Sequence, residues 1–299
     1  MIDRKLVQSM LSGMQFQYVL SLLTEKFHQP YVVVKGEVLS YQAYGATGRR
    51  HFGDIDILVD RKDLTAVTKV FLEDGFETNV LTREQEIVAK SFSHQLPPLW
   101  KKVNGVTVNV DINYDIFWGE WTGPRQDIEE WLKKREIIEL FRLPVPVLTV
   151  NEAFIQLCLH HYKDMNSLFH LTIGTPIKSE KFQDVYRFWR NNQKELSIEK
   201  ICDWAERYSA QDYLYCVILQ TAEVIQDEDI ARWGNQLNPK GYPEGNCLTD
   251  TYGLDASHRK KWDLSLKERV DNPKLPEYIK AHLTEEEREK IERERIIFG

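Results

Sequence analysis

The amino-acid sequence predicts an α/β (α+β) fold, in which a small mixed sheet flanked by helices precedes a helical region. Two short runs, residues 31–34 and 55–59, are rich in β-branched residues, as strands are. The pair Asn104-Gly105 lies between two alternating segments and indicates a hairpin. After residue 146 the apolar residues recur at helical spacing. We therefore expect three parts: an N-terminal α/β domain over 1–146, a helical substrate or lid domain over 147–233, and a C-terminal extension over 234–299 that wraps the body.

The elements of the first part follow from their local patterns. Helices are predicted where apolar residues recur at steps of three and four, and strands where apolar residues alternate or β-branched residues follow one another. In chain order, the predicted elements are a helix over 3–27, a strand over 31–34, a helix from Gly36 to about 44, a strand over 55–59, a helix that ends before Gly75, and a hairpin of 99–103 with 106–113.

The second part reads as a series of amphipathic helices, and the third as a Pro- and Gly-rich stretch that ends in a charged helix. The predicted helices cover 151–164, 180–192, 198–208 and 211–225, with a terminal helix from Thr284. Four tryptophans could stack on a ligand, but core packing is the preferred interpretation of Trp118, Trp121, Trp131 and Trp189.

The composition limits the classes of partner and the cellular location. Of 299 residues, 46 are acidic and 39 basic, which gives a formal net charge of −7 and disfavours a long nucleic-acid surface. Neither a run long enough to span a bilayer nor an apolar signal segment is found, so we expect a cytoplasmic protein without membrane contact. The cysteines are not spaced as metal ligands, and reduced, structural roles are expected for Cys158, Cys202, Cys216 and Cys247.

The strongest chemical signal is the segment of residues 53–59, which reads Gly-Asp-Ile-Asp-Ile-Leu-Val. A strand repeats every two residues, so Asp54 and Asp56 project from one face and the alternating apolar residues from the other. Two adjacent carboxylates repel each other unless a proton or a cation lies between them, and their hard oxygens suit Mg²⁺. The pattern predicts a metal–phosphate site, with a solvated strand face as the alternative.

Three neighbouring features favour the metal–phosphate interpretation. Gly36 follows a strand and opens a helix, where backbone N–H groups and the positive helix end receive phosphate. The second hairpin strand carries Asp111, a candidate third metal ligand or general base. Arg49 and Arg50 precede the aspartates, where a guanidinium group can hold phosphate oxygens or pair with an acid.

The order strand-Lys-Gly-helix-Arg-x-x-Gly-Asp-x-Asp, followed by a later carboxylate strand, resembles the DNA polymerase β-like nucleotidyltransferase superfamily. Residues 32–59 look most like the uncharacterised nucleotidyltransferases that are often found beside peptide and natural-product biosynthesis enzymes. A looser resemblance continues into the helical half and covers roughly two thirds of the chain, up to Asn235. The resemblance implies that residues 1–146 form the nucleotidyltransferase domain.

The resemblance also implies an activity and a set of site residues. Asp54, Asp56 and Asp111 would be catalytic and would hold Mg²⁺, or Mn²⁺ in its place. The enzyme would transfer a nucleoside monophosphate from a nucleoside triphosphate, most simply ATP or CTP, to a hydroxyl or similar group of a small-molecule or peptide acceptor, with release of pyrophosphate. Nucleotide binding is implied for Lys35, Gly36, Arg50 and Gly53, and contacts to nucleotide or acceptor are candidates for His94, Asn113, His160 and His161.

The sequence departs from the family pattern at two positions, and two alternative functions stay open. Lys35-Gly36-Glu37 stands where the superfamily usually has Gly-Ser, and Asn113 stands where this group commonly has His. One alternative is a toxin-type transferase that adds nucleotides to transfer RNA, which would require a basic groove. The other is a noncatalytic protein that binds a nucleotide or a partner. The bland interpretation of His160 and His161 is that they are packed or surface histidines.

Overall fold

The computed structural model of the protein describes residues 4–50, 52–238 and 248–298. The chain divides into two compact units, one of Met1–Ile116 with Gln126–Ala153 and one of Phe117–Arg125 with Phe154–Gly299. The predicted mixed α+β class is confirmed. Cys247 and much of the Pro- and Gly-rich stretch fall outside the described residues. The thiols that are described are free, as expected, in Cys158, Cys202 and Cys216.

The first unit is built on a five-stranded sheet with helices packed against it. The strand order is β1-β2-β5-β4-β3, and the β2–β5 pair is parallel whereas the other pairs are antiparallel. Its elements are α1 (Arg4–Lys26), β1 (Tyr31–Val33), α2 (Glu37–Tyr44), β2 (Ile55–Val59), α3 (Leu64–Glu73), β3 (Glu77–Thr78), α4 (Arg83–Phe92), β4 (Leu99–Val103), β5 (Val106–Asn113), α5 (Ile128–Lys133), β6 (Glu136–Leu140) and β7 (Leu143–Val147).

The predicted strand 55–59 is confirmed as β2, and its apolar face forms part of the core. Ile55, Ile57 and Val59 are buried in one cluster with apolar residues of α1, α3 and β5. Burial of each such side chain stabilises the fold by about 2 kcal/mol. The opposite face of the strand therefore carries Asp56, whose position is set by the same alternation.

Two elements of the first unit differ from the sequence prediction. Residues 83–92, to which no structure was assigned, form α4, and its N-terminus is closed by a capping box between Thr82 and Gln85. The run 144–146, expected to end the first domain, lies inside β7, which pairs with β6. The first unit continues to Ala153, beyond the predicted domain limit at residue 146. The limits of the three predicted parts stay predictions.

The second unit is helical, and the predicted helices between 151 and 225 are all found. The described part of the C-terminal extension packs on these helices: Gly253 N–H donates to the carbonyl of Asn166, and Asp271 N–H to that of Ile177. The remaining elements are α6 (Val150–Asn166), α7 (Leu168–Leu171), α8 (Ser179–Asn191), α9 (Ile198–Arg207), α10 (Gln211–Ile225), α11 (Glu228–Gly234), β8 (Thr251–Tyr252), β9 (Lys260–Lys261), α12 (Leu266–Arg269), α13 (Leu275–Ala281) and α14 (Glu285–Phe298).

The core packing that was preferred for four tryptophans is observed, since all four are buried: Trp118, Trp121, Trp131 and Trp189. Among the helices of the described ranges, none is both long and apolar enough to cross a membrane.

Candidate active site

Two aspartates lie side by side on the central strands of the sheet. Asp56 on β2 and Asp111 on β5 are register partners in the parallel pair, so their side chains project from the same sheet face. Neighbouring strands are about 4.8 Å apart, which brings the two carboxylate groups close to each other. Asp56 is almost fully buried, with 1% of its surface exposed, whereas Asp111 is half-buried. The pair therefore requires a positive group nearby.

The side chain of Lys35 supplies a positive charge at Asp56. Lys35 follows β1, the other neighbour of β2, and its Nζ lies 2.5 Å from Asp56 Oδ1. The same oxygen accepts a hydrogen bond of 3.3 Å from Nδ2 of Asn113. Asn113 Nδ2 also lies 3.3 Å from the carbonyl oxygen of Ile57, so this amide is fixed between the two strands. Asp56 is thus held in one orientation by an ammonium group and an amide.

Two further amides, which the sequence did not indicate as site residues, orient the neighbouring groups. Gln95 donates from Nε2 to Asp111 Oδ2 over 3.4 Å, and its backbone forms an isolated bridge with Asn113. Asn109 donates from Nδ2 to the carbonyl of Gly53 over 2.9 Å and so fixes the residue before Asp54. The alternation of β5 placed Asn109 on the same face as Asp111, which was the available signal for this residue.

The turn between β1 and α2 has the geometry that the glycine signal predicted. Gly36 adopts φ 59° and ψ −126°, a conformation that residues with a Cβ rarely take. The first helical bond of α2 runs from Ser40 N–H to the Gly36 carbonyl. Gly36 is buried, and the ring of Phe52 lies 3.4 Å from the place that a Cβ would take. It stands at the start of α2, where the helix dipole and the first N–H groups favour a phosphate group.

The loop 45–50, which carries Arg49 and Arg50, is held by two buried side chains of α2. Glu37 accepts a hydrogen bond from Gly48 N–H at Oε2 over 2.7 Å. Ser40 Oγ accepts from Arg49 N–H and donates to the carbonyl of Ala46, each over 2.9 Å. The sequence indicated neither Glu37 nor Ser40 as a site residue. A side chain that is buried against a loop cannot be told from a surface side chain of the same type in a sequence.

Glu37 is a buried acid with an unusual environment. Its exposed fraction is 0%, and Oε1 has no hydrogen-bond partner among the described residues. Burial raises the pKa of the Glu37 carboxyl group, and the hydrogen bond from Gly48 N–H opposes this shift only in part. The Glu37 side chain thus supports the loop that carries Arg49 and Arg50.

Among the described contacts of the three histidine candidates, none is to Asp56 or Asp111. The carbonyl oxygen of His94 accepts hydrogen bonds from the N–H groups of Tyr114 and Asp115, so its backbone continues the sheet edge beyond β5. His160 and His161 belong to α6 in the second unit, where their rings lie 5.9 Å apart. Only 2% of the surface of His161 is exposed, and this burial favours the interpretation of His161 as a packed histidine.

His160 takes part in a charge cluster around Asp164. Its Nε2 lies 3.1 Å from Asp164 Oδ2, Lys181 Nζ lies 3.0 Å from the same oxygen, and Lys163 Nζ lies 3.5 Å from Oδ1. Burial alone would raise the pKa of Asp164, but the surrounding positive charges outweigh burial and hold this pKa well below its usual range. With two lysines on its carboxylate, Asp164 is better suited to joining helices than to binding a cation.

The donor chemistry of the candidate site fits a divalent cation. Asp54, Asp56 and Asp111 offer hard carboxylate oxygens, and Lys35 balances one of the three negative charges. In the described ranges, two groups of side chains have possible metal-ligand atoms that all lie within 4.8 Å of one another: His160-His161-Asp164 and Asp60-Asp127-Glu129. The three site aspartates form no such group. The Lys35 ammonium holds Asp56 instead.

The comparisons with known proteins point to one family. The family model described as uncharacterised nucleotidyltransferase matches residues 3–226. Among solved structures, the chain is similar to an antigenic nucleotidyltransferase-like protein from Paracoccidioides brasiliensis, with 14% identity and a TM-score of 0.38, over 78% of this chain and 92% of that one. No curated protein matches the chain.

Proposed function

The chain belongs to the uncharacterised nucleotidyltransferase family, and on that premise we propose that it catalyses Mg²⁺-dependent transfer of a nucleoside monophosphate. The donor is a nucleoside triphosphate, and the acceptor is a hydroxyl or similar group of a small molecule or peptide. Pyrophosphate is the second product. The proposed catalytic residues are Asp54, Asp56 and Asp111.

One observation carries this proposal: Asp56 and Asp111 are register partners on adjacent parallel strands, beside the turn that ends at Gly36. A structural sheet gains nothing from two carboxylates on one face at one level, since the pair repels itself. The arrangement is useful where a cation and a phosphate group meet. The family assignment supports the same reaction class.

The residues take separate roles in the proposed reaction. When bound to the three aspartates, Mg²⁺ would supply positive charge that makes the acceptor hydroxyl more acidic and stabilises the leaving pyrophosphate. Asp111, oriented by Gln95, accepts the proton of the acceptor hydroxyl. The acceptor oxygen then forms a bond to the α-phosphorus, while the bond from that phosphorus to pyrophosphate breaks.

The nucleotide would be held by groups at the start of α2 and in the neighbouring loop. The first N–H groups of α2, which follow Gly36, would receive a phosphate group of the nucleotide. Lys35 and Arg50 supply positive charge, and a guanidinium group binds two phosphate oxygens at once. Gly53, fixed by Asn109, lets the nucleotide approach the aspartates without a side chain in the way. We propose ATP or CTP as the nucleotide.

The net charge of the chain favours a small acceptor over transfer RNA. With a net charge of −7, the protein is disfavoured as a binder of a long polyanion such as transfer RNA. A small molecule or a peptide makes no such demand. The free thiols of Cys158 and Cys216 accord with the cytoplasm, which we propose as the location of the reaction.

A pyrophosphate-release screen tests the proposed function. The full chain is incubated with Mg²⁺, each of the four ribonucleoside triphosphates, and either small-molecule extract, peptide extract or total RNA from the producing cell. We expect pyrophosphate release with one extract and a product whose mass has increased by one nucleoside monophosphate. Labelled RNA as the sole product would favour the toxin-type alternative. Tight nucleotide binding without pyrophosphate release in any mixture would favour the noncatalytic alternative.

A further inference from the structure

The ion pair between Lys35 and Asp56 is largely shielded from water. Only 11% of the Lys35 side chain and 1% of the Asp56 side chain are exposed, and the charged atoms lie 2.5 Å apart. Lysines that pair on the surface of this unit are far more exposed; the side chain of Lys69, beside Glu73, is 71% exposed. Removing a lysine and an aspartate from water costs free energy, which close pairing offsets.

The partner of Lys35 is the carboxylate that the proposed function assigns to the metal. Oδ1 of Asp56 already receives the ammonium group of Lys35 and the amide of Asn113. A divalent cation beside this oxygen would meet a fixed positive charge at short range, and the repulsion is strong where water is excluded. The ammonium group and the cation therefore compete for Asp56.

The position of Lys35 in the chain offers its ammonium group another partner. Lys35 is the residue directly before Gly36, whose backbone opens α2 and is the proposed phosphate contact. A lysine side chain is long and has several rotatable bonds, so it can exchange one anion for another without movement of the backbone. The phosphate groups of a nucleotide at Gly36 would give the ammonium group an alternative to Asp56.

We infer that Lys35 is an internal counter-ion of Asp56, which keeps divalent cations from this carboxylate until a nucleoside triphosphate draws the ammonium group away. Metal and nucleotide then enter the site together, and metal alone does not. This inference rests on the proposed function, because it takes Asp56 as a metal ligand. It assigns Lys35 a positioning and gating role in addition to nucleotide binding.

Binding of Mn²⁺ alone tests this inference without any turnover. Free Mn²⁺ is measured by electron paramagnetic resonance in titrations of the full-length wild-type chain and of Lys35→Gln, which removes the charge and keeps a polar side chain. The metal-competent state of the wild type is only a minor population, so Lys35→Gln should bind Mn²⁺ about tenfold more tightly or better. In the wild type, comparable binding should require a hydrolysis-resistant nucleoside triphosphate, measured after subtraction of the Mn²⁺ that the same concentration of free triphosphate chelates.

Two controls locate the effect. Lys69→Gln removes a lysine that is paired with a carboxylate on the surface, and it should leave Mn²⁺ binding as in the wild type. The double variant Lys35→Gln/Asp56→Asn should lose the gained binding, because the carboxylate that the metal gains is no longer present. Gained binding that persists in the double variant would place the metal elsewhere and overturn the inference.

Further outcomes keep the inference separable from the proposed function. Equal Mn²⁺ affinity in Lys35→Gln and the wild type would overturn it. Should Lys35→Gln fail to fold, the wild type alone decides. Stoichiometric binding of Mn²⁺ without nucleotide contradicts the gate, and binding by protein and triphosphate together that exceeds the Mn²⁺ chelated by the same concentration of free triphosphate supports it. If Asp56→Asn abolishes pyrophosphate release while Lys35→Gln gains no metal affinity, the counter-ion role is wrong and the proposed function stands.

Discussion

Asn113 donates a hydrogen bond from its Nδ2 to Oδ1 of Asp56, over 3.3 Å and 57 positions of sequence. Asn113 is itself held by the carbonyl of Ile57, so it fixes the orientation of the buried carboxylate. The proposed function makes Asp56 a metal ligand, and partners that orient a metal ligand typically matter about 10- to 100-fold for activity. The amide therefore contacts the carboxylate to which the proposed reaction assigns the metal.

The first prediction concerns the variant Asn113→Ala. It removes one donor from a buried carboxylate, and we expect pyrophosphate release to fall by about 10- to 100-fold. The free energy of unfolding should fall by about 1 to 3 kcal/mol, because a hydrogen bond to a charged group is lost. The matched control is Asn192→Ala, which loses a bond to the Phe188 carbonyl in the second unit. Wild-type turnover by Asn113→Ala would show that Asp56 does not need this partner.

The second prediction uses the buried carboxyl group of Glu37. Its pKa is raised by burial from the ordinary value of 4.5, so protonation favours the folded state. The stabilisation is complete below pH 4.5 and is lost as the pH rises through the folded-state pKa. Glu37→Gln keeps an acceptor for Gly48 N–H without a charge, and its melting temperature should exceed that of the wild type at neutral pH.

Thermal unfolding across the pH range checks this prediction. The difference in melting temperature between Glu37→Gln and the wild type should shrink as the pH falls toward 4.5. Glu73→Gln, on the exposed face of α3, provides the control and should show no such trend. A difference that is independent of pH would contradict the account of Glu37 as a buried acid.

The third prediction concerns Glu294 on α14, which lines a cavity of about 420 Å³ in the second unit. Burial raises the pKa of Glu294 to about 7, and the nearby Glu120 carboxylate adds to the shift. Protonation of Glu294 therefore stabilises the fold below pH 4.5, and this stabilisation is lost as the pH rises through about 7.

The variant Glu294→Gln remains neutral at every pH and so isolates the effect. Its gain in melting temperature over the wild type should grow between pH 4.5 and about 7 and stay constant at higher pH. Glu292→Gln, an exposed neighbour on the same helix, serves as the control. If the gain were the same at pH 5 and pH 8, Glu294 would not be the titrating group.

The elements that depend on one local pattern were predictable from the sequence. The strand Ile55–Val59 alternates, the hairpin carries Asn104-Gly105, and the helices between 151 and 225 have clear apolar faces. The capping box at Thr82 and Gln85 was also readable, although α4 was not predicted.

The β6–β7 hairpin escaped prediction for a physical reason. Its turn residues Phe141 and Arg142 adopt φ of 54° and 62° without the Gly or Asn that usually marks such a turn. Pro144 and Pro146 then lie within β7, where proline normally argues against a strand. The tertiary context of the sheet overrides these local signals.

The candidate site was predictable only in its main residues. Strand alternation places Asp56 opposite the core face of β2, whereas Asp54 precedes the strand. No sequence rule gives the parallel register that sets Asp111 beside Asp56. Pairings such as Lys35 with Asp56, or Gln95 with Asp111, depend on how strands from distant segments are aligned. They were therefore accessible only from the fold.

The central claim is that the carboxylates of Asp56 and Asp111 serve nucleotidyl transfer. Asp56→Asn changes one oxygen to an amide with almost no change of shape, and it removes a charge that the proposed Mg²⁺ ion requires. Asp60→Asn is the matched control, since Asp60 follows the same strand and caps the turn at Lys62.

Pyrophosphate release by Asp56→Asn, measured with the nucleotide and acceptor that support turnover by the wild type, tests this claim most directly. We expect pyrophosphate release by Asp56→Asn to fall by about a thousandfold or more. The control Asp60→Asn should keep the turnover and the melting temperature of the wild type. Full turnover by a folded Asp56→Asn variant would contradict the claim.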